Sequence, residues 1–308
     1  MNILFEKEST YSLRGICMLM IIASHTTINS DDSLYSILQF LLFDHWGAFG
    51  TGLFFLLSGY GMFLSLQKAK EITATYLLNK LRKLFLPFFY TWIIYLLFFL
   101  LFDRSQINLH LLSEFITLSL PLGIDAWFFK VILGLYLLII LLFRIPISNG
   151  LRITIMSILV ITYYIVFREL SFGPWWYNTV LNFPLGMLFA WRKEMVQNKY
   201  YSLLIILSTL ALSFFTTISF FPYICFSLCS IWFARIIKIQ LITGLKFIGI
   251  NSLLFYLLEC PSIEYLTKYF SASFILSFLI AVISTTILAM IYLKVESYWN
   301  MISFRRRN

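Results

Sequence analysis

An arginine and a histidine on the first apolar segment are the residues best suited to chemistry. His25 is one of three histidines in the chain, and Arg14 precedes it by eleven positions. Eleven residues make about three turns of α-helix, or about 16 Å along its axis, so both side chains project from the same side. Ionisable residues inside a membrane span are costly and usually face a polar interior. The spacing therefore predicts that Arg14 and His25 act together inside a membrane protein.

These two side chains are suited to different parts of a group-transfer reaction. An imidazole has an unperturbed pKa of about 6.5, so it can take a proton from a hydroxyl group and return it to a leaving thiolate. A guanidinium group can bind phosphate or a developing negative charge. Simpler interpretations stay open: Arg14 can be an anchor at the membrane surface, and His25 a hydrogen-bonded structural residue.

A glycine-rich stretch follows this pair. Five glycines fall within residues 47–61. Such a stretch permits either local unwinding around a polar cavity or close packing of helices. Within it, Ser58, Gly59 and Tyr60 are the candidates for shaping a cavity.

A basic cluster of Lys80, Arg82 and Lys83 precedes Pro87. A cytoplasmic donor that carries phosphate groups would bind such a cluster. Anchoring at the membrane surface explains the same charges equally well.

The elements that must position these groups are membrane helices. The 308 residues are 60% hydrophobic and only 12% charged, with a mean hydropathy of +0.87, whereas soluble domains carry roughly 25% charged residues. Because a span needs about 20 apolar residues, we predict an all-α polytopic membrane helix bundle, with about ten transmembrane helices in a single domain over residues 1–308. The predicted spans are 12–28, 47–66, 84–103, 126–143, 151–167, 176–191, 202–217, 219–237, 243–259 and 273–293. Segments 33–43 and 109–122 are too short to span.

The basic residues predict the orientation. With both termini in the cytoplasm, all but four of the 23 Lys and Arg residues lie on the cytoplasmic side, as the positive-inside rule expects. The net charge of +9 then faces anionic headgroups, so no nucleic-acid partner is predicted. The four cysteines lack the C-x-x-C spacing of a metal site, so no metal is predicted.

Taken together, the motifs resemble the bacterial acyltransferase 3 family of multispan membrane enzymes. The resemblance begins with Arg14 and His25, which are separated by ten residues. It continues in chain order through Phe54-Phe55 followed by Ser58-Gly59-Tyr60, the basic cluster with Pro87, Ala126-Trp127-Phe128-Phe129, Phe183-Pro184-Leu185-Gly186, Ile248-Gly249-Ile250-Asn251-Ser252-Leu253, and Tyr256 to Pro261. One position departs from the pattern, because Glu259 stands where the family often has histidine.

The resemblance implies a membrane O-acyltransferase of the bacterial inner membrane, with no permanently bound cofactor. It would transfer an acetyl group from acetyl-CoA to a hydroxyl of a cell-envelope or exopolysaccharide carbohydrate. Its expected partners are acyl-CoA, the carbohydrate acceptor and the lipid bilayer, and a homo-oligomer is possible. The implied catalytic residues are His25 and Arg14, the donor-binding residues are Arg14, Lys80, Arg82 and Lys83, and the cavity or acceptor-binding residues are Ser58, Gly59, Tyr60, Trp127, Tyr256 and Glu259. Tyr256 and Glu259 would either bind the sugar or orient the histidine.

Two other functions are alternatives to this one. A transporter or flippase of lipid-linked sugar would also have about ten spans with polar groups near the midplane. It would form no bond and would need no acyl donor. The H-x-x-x-x-D motif of soluble acyltransferases is disfavoured, because Ser30 stands where that motif has aspartate.

Overall fold

The structure is a computed structural model. It describes residues 7–27, 46–69, 71–102, 104–121, 126–194, 198–215, 220–236, 243–263 and 274–305. The predicted short segment 33–43 lies outside these residues.

The described residues form α-helices joined by short connections and two 3-10 turns, Arg104–Gln106 and Pro174–Trp176, and they contain no strands, as the all-α prediction expects. The helices are α1 (Lys7–Thr27), α2 (Trp46–Lys68), α3 (Ala74–Phe102), α4 (Leu109–Ile116), α5 (Trp127–Arg144), α6 (Asn149–Glu169), α7 (Asn182–Trp191), α8 (Lys199–Phe215), α9 (Phe221–Ile236), α10 (Thr243–Ile250), α11 (Ser252–Ser262) and α12 (Phe274–Arg305).

Five of the described helices are long and apolar enough to cross a membrane, namely α2, α3, α5, α6 and α12. Helices α10 and α11 would make a sixth span if the pair counts as one. Helices α7, α8 and α9 are shorter, at 10, 17 and 16 residues. The structure therefore confirms a helical protein with several spans, and the number of ten stays a prediction.

Several predicted span boundaries differ from the helices, and α12 continues to Arg305, twelve residues past the predicted end at 293. The predicted span 243–259 is interrupted, because α10 ends at Ile250 and α11 begins at Ser252. The residue between them is Asn251, and asparagine favours helix caps and turns over helix interiors. Helix α3 begins at Ala74, ten residues before the predicted span 84–103. Helix α7 begins at Asn182, after one 3-10 turn, and covers only the second part of 176–191.

The described residues group into two compact units. Unit 1 contains those within 1–21, 45–82 and 127–250, and unit 2 contains those within 22–44, 83–126 and 251–308. Helices α1 and α3 each contribute to both units. A single domain over residues 1–308 therefore stays a prediction.

The core of unit 1 is α2, which crosses α7 at a glycine contact. Fourteen of the 23 residues of α2 are buried, as expected of a helix surrounded by others. A Cβ atom added at Gly59 would collide with the carbonyl oxygen of Phe183, and one added at Gly186 would collide with that of Leu56. The two helix backbones are therefore in direct contact, and only glycine fits at either position.

A second close contact in unit 1 joins α1 to α10. A Cβ atom at Gly15 would collide with the carbonyl oxygen of Leu245, and one at Gly249 would collide with that of Tyr11. Gly59, Gly186 and Gly249, which belong to the motifs described above, therefore serve helix packing.

Unit 2 combines the last six residues of α1 with most of α3 and with α4, α11 and α12. Aromatic packing joins α3 to the short helix α4, since the ring of Phe115 lies 5.1 Å from that of Trp92. Trp92 Nε1 also donates to the carbonyl oxygen of Ser119 at 3.1 Å. Tyr90 of α3 donates to the carbonyl oxygen of Leu288 in α12 at 3.2 Å. These bonds satisfy polar groups that would otherwise be costly in an apolar surrounding.

Candidate active site

His25 and Glu259 form a hydrogen-bonded pair in unit 2. Although 234 residues separate them in the chain, Nδ1 of His25 lies 2.9 Å from Oε1 of Glu259. When Glu259 is ionised it can only accept a hydrogen bond, so Nδ1 carries a proton, and in the neutral imidazole Nε2 then keeps its lone pair. No described residue hydrogen-bonds Nε2. The pair therefore has the arrangement that prepares an imidazole to act as a base.

Burial differs sharply between the two partners. The Glu259 side chain has 0% of its surface exposed, whereas the His25 side chain has 37% exposed. Oε2 of Glu259 is buried and has no hydrogen-bond partner among the described residues. A carboxylate in such a place is costly unless it is well paired. The imidazole is thus partly exposed, while the carboxylate is buried behind it and contacts it through Oε1.

Helix α11 places Glu259 and is itself held by α12. Pro261 follows Glu259 closely and removes one backbone donor from the last turn of the helix. Ser262 donates to the carbonyl oxygen of Leu258 at 3.0 Å, and Thr285 of α12 donates to the Ser262 hydroxyl at 3.1 Å. These buried bonds restrict the end of α11 that carries the carboxylate.

Arg14 lies in unit 1, on the first half of α1. Its Nε is buried and has no hydrogen-bond partner among the described residues. Among the described residues, no carboxylate oxygen lies within 4.0 Å of the Arg14 guanidinium. Gly61 leaves space beside it, because a Cβ atom added there would be 3.9 Å from Nη2. A half-buried guanidinium without a described counter-ion is suited to bind an anion.

The basic cluster on α3 is not gathered on one face. Lys80 Nζ donates to the hydroxyl of Ser65 at 3.0 Å and lies 5.3 Å from the centre of the Tyr76 ring. Arg82 and Lys83 are exposed. At about 100° per residue, Arg82 lies on the opposite side of the helix from Lys80. Lys80 thus contacts α2, and the other two side chains face outward.

The remaining predicted site residues are mostly buried, and they divide between the units. In unit 1, Ser58 and Tyr60 are buried in α2, Gly59 contacts α7, and the half-buried Trp127 packs against the aromatic ring of Phe55. In unit 2, Tyr256 is buried three residues before Glu259. The structure thus brings His25 and Glu259 together within unit 2, and the roles of all these residues stay predictions.

Unit 1 contains a buried polar group that the sequence did not indicate. Thr179 and Asn182 are fully buried beside the start of α7. The hydroxyl of Thr179 and Oδ1 of Asn182 have no hydrogen-bond partner among the described residues. In the sequence, these two polar residues stand close to the start of an apolar stretch, and that position was the only sign of their burial. No group of three metal-ligating side chains occurs in the part of the chain that the structure describes.

A family model described as an acyltransferase domain matches residues 12–294, nearly the whole chain. The chain therefore belongs to the acyltransferase 3 family, which confirms the resemblance drawn from its motifs. No curated protein and no solved structure shows a significant match. Together with the apolar helices, the family identifies a multi-pass membrane acyltransferase.

Proposed function

We propose that the protein transfers an acetyl group from acetyl-CoA to a hydroxyl group of a cell-envelope or exported carbohydrate. The observation that carries this proposal is the 2.9 Å hydrogen bond between His25 and the buried Glu259. Acyl transfer to a hydroxyl needs a base with a free lone pair. His25 has that lone pair on Nε2 and an orienting carboxylate on Nδ1.

The reaction follows from these two groups. Nε2 of His25 takes the proton of the acceptor hydroxyl as its oxygen attacks the thioester carbonyl carbon. The new C–O bond forms, the C–S bond breaks, and the imidazolium returns its proton to the leaving thiolate of coenzyme A. Glu259 stabilises the imidazolium between these two proton transfers and keeps the ring oriented, so it is a positioning residue.

Arg14 is the proposed site for the phosphate groups of the donor. Its guanidinium is half-buried, with Nε fully buried and Nη2 beside Gly61, and it has no described counter-ion, which favours an anionic ligand. Three turns of α1, about 16 Å, separate it from His25, so the donor's pantetheine arm would extend along this helix to present the thioester. Arg82 and Lys83 are exposed and would attract the same phosphates.

The acceptor is proposed to meet His25 from the extracytoplasmic side of the bacterial inner membrane. This assignment follows from the predicted orientation, in which α1 runs from the cytoplasm outward. Tyr256 precedes Glu259 by one turn and shares its side of α11. Its hydroxyl is proposed to help position the acceptor, and Ser58 and Tyr60 to shape the cavity.

The experiment that tests the function is transfer of labelled acetyl from acetyl-CoA by the purified protein in proteoliposomes. Envelope carbohydrate from cells that lack the gene serves as acceptor, and mass spectrometry locates the added acetyl group. We expect product only when both donor and protein are present. Sugar that moves across the membrane unmodified and without acetyl-CoA would contradict the proposal and favour a flippase.

A further inference from the structure

A polar cleft lies within unit 1. It has a volume of about 600 Å³ and lies where α5 ends and α6 begins, next to the end of α2. On the predicted topology this end of the three helices is cytoplasmic. The polar and aromatic residues that line it are Gln67, Glu71, Phe143, Arg144, Asn149 and Arg152.

The guanidinium of Arg152 is fixed at the wall of this cleft. Nε donates to the carbonyl oxygen of Leu142 at 3.2 Å, Nη1 to Oδ1 of Asn149 at 2.7 Å, and Nη2 to the carbonyl oxygen of Ile145 at 3.0 Å. The same group lies 4.6 Å from the centre of the Phe143 ring. All three acceptors are neutral, so the positive charge is kept and two N–H groups remain for a ligand.

Arg144 adds a second positive charge to the same cleft. Its side chain is exposed. No described carboxylate lies within 4.0 Å of either guanidinium. Glu71 is the one acidic residue of the lining. Capping of the end of α5 explains the hydrogen bonds of Arg152, but it explains neither Arg144 nor the open cleft beside it.

Apolar side chains at the adjoining ends of α5 and α6, and on the turn between them, face outward next to the cleft. Leu141, Ile145 and Leu151 are exposed, and α5 and α6 are both long and apolar enough to span a membrane. The turn between two such helices lies at the membrane surface. A ligand here therefore meets cationic groups and hydrocarbon-facing side chains at the same time.

We propose that this cleft binds the phosphate of an anionic glycerophospholipid, with Arg144 and Arg152 as its ligands. A phospholipid has both features that the surroundings require, a phosphate for the two guanidinium groups and acyl chains for the exposed Leu141, Ile145 and Leu151. Anionic lipids are also enriched where positive loops face the cytoplasm. The nucleotide end of coenzyme A has phosphates for the two guanidinium groups, but it has no hydrocarbon chains for the exposed apolar side chains.

The test is titration of the purified full-length protein with dioctanoyl phosphatidylglycerol, followed by native mass spectrometry, with dioctanoyl phosphatidylcholine as the neutral lipid. Arg144→Gln should weaken phosphatidylglycerol binding about fivefold, the factor that corresponds to about 1 kcal/mol per basic residue at a membrane surface. Glu71→Gln should strengthen it. Arg144 is the better position to change, because Arg152 also holds the end of α5.

Arg168→Gln is the matched control, since it removes one exposed charge from the other end of α6. It should leave phosphatidylglycerol binding unchanged. The proposal is overturned if Arg144→Gln binds phosphatidylglycerol as wild type does, or if Arg168→Gln weakens it equally. It is also overturned if Arg144→Gln weakens binding of coenzyme A instead, because the cleft would then belong to the donor.

Discussion

Replacing Glu259 with glutamine should slow acyl transfer about a hundredfold without changing affinity for the donor. The substitution keeps the size of the side chain and an amide oxygen that can still accept from Nδ1 of His25. It removes the negative charge that faces the imidazolium during the reaction. Because that imidazolium exists only after the proton has moved, the loss falls on kcat rather than on KM.

The magnitude follows from the contact distance. The two atoms are 2.9 Å apart and the carboxylate is fully buried. Two unit charges about 4 Å apart interact by about 4 kcal/mol at an effective dielectric constant near 20, and the amide dipole of glutamine recovers a part of that. A loss of about 3 kcal/mol remains, which corresponds to about a hundredfold in rate.

The assay is single-turnover transfer of labelled acetyl in proteoliposomes, at matched amounts of folded protein. Glu114→Gln is a suitable control, because Glu114 is also a buried carboxylate beside a histidine in unit 2, 3.7 Å from Nδ1 of His110. It should transfer at the wild-type rate. Stabilisation of the imidazolium by Glu259 is contradicted if Glu259→Gln keeps a rate within about threefold of wild type, or if only its KM changes.

Two further predictions concern packing and the donor. Gly186→Ala should destabilise the protein by about 1–3 kcal/mol, because its Cβ would collide with the backbone of α2; thermal unfolding in detergent measures this. The control Gly134→Ala, whose Cβ would meet nothing within 4 Å, should be neutral or slightly stabilising. Arg14→Gln should weaken binding of coenzyme A about tenfold or more, through loss of a charge-assisted hydrogen bond, as measured by equilibrium binding to the purified protein.

Each of these has an outcome that contradicts it. Equal unfolding temperatures for Gly186→Ala and Gly134→Ala would show that the two helices can separate without cost. Unchanged affinity for coenzyme A in Arg14→Gln would leave the Arg14 guanidinium as a structural group and remove it from the donor site.

Hydropathy predicted the fold well where a helix is continuously apolar. The predicted spans 47–66, 126–143 and 151–167 lie close to α2, α5 and α6, because about 20 apolar residues in a row have few alternatives in a membrane. The break at Asn251 was missed, since one polar residue hardly changes the mean of an apolar segment. The first turns of α3 were not predicted as part of a span, because their residues are too polar for one although they are helical.

The sequence predicted which residues belong to the candidate site, but not which of them contact one another. The spacing of Arg14 and His25 on one helix is a local property, so the sequence could indicate it, and α1 is continuous across both. The hydrogen bond between His25 and Glu259 depends on how distant segments pack, which no periodicity encodes. The position of Glu259 in the resemblance was the only sign that it mattered, and it left sugar binding and orientation of the histidine as alternatives.

The central claim is that His25 is the base for acyl transfer. Its most direct test is single-turnover transfer of labelled acetyl from acetyl-CoA by His25→Ala, measured with and without added imidazole. We predict a rate about 10²- to 10⁴-fold below wild type, with partial recovery in imidazole and unchanged binding of coenzyme A. A variant that is folded and transfers acetyl at the wild-type rate would contradict the claim.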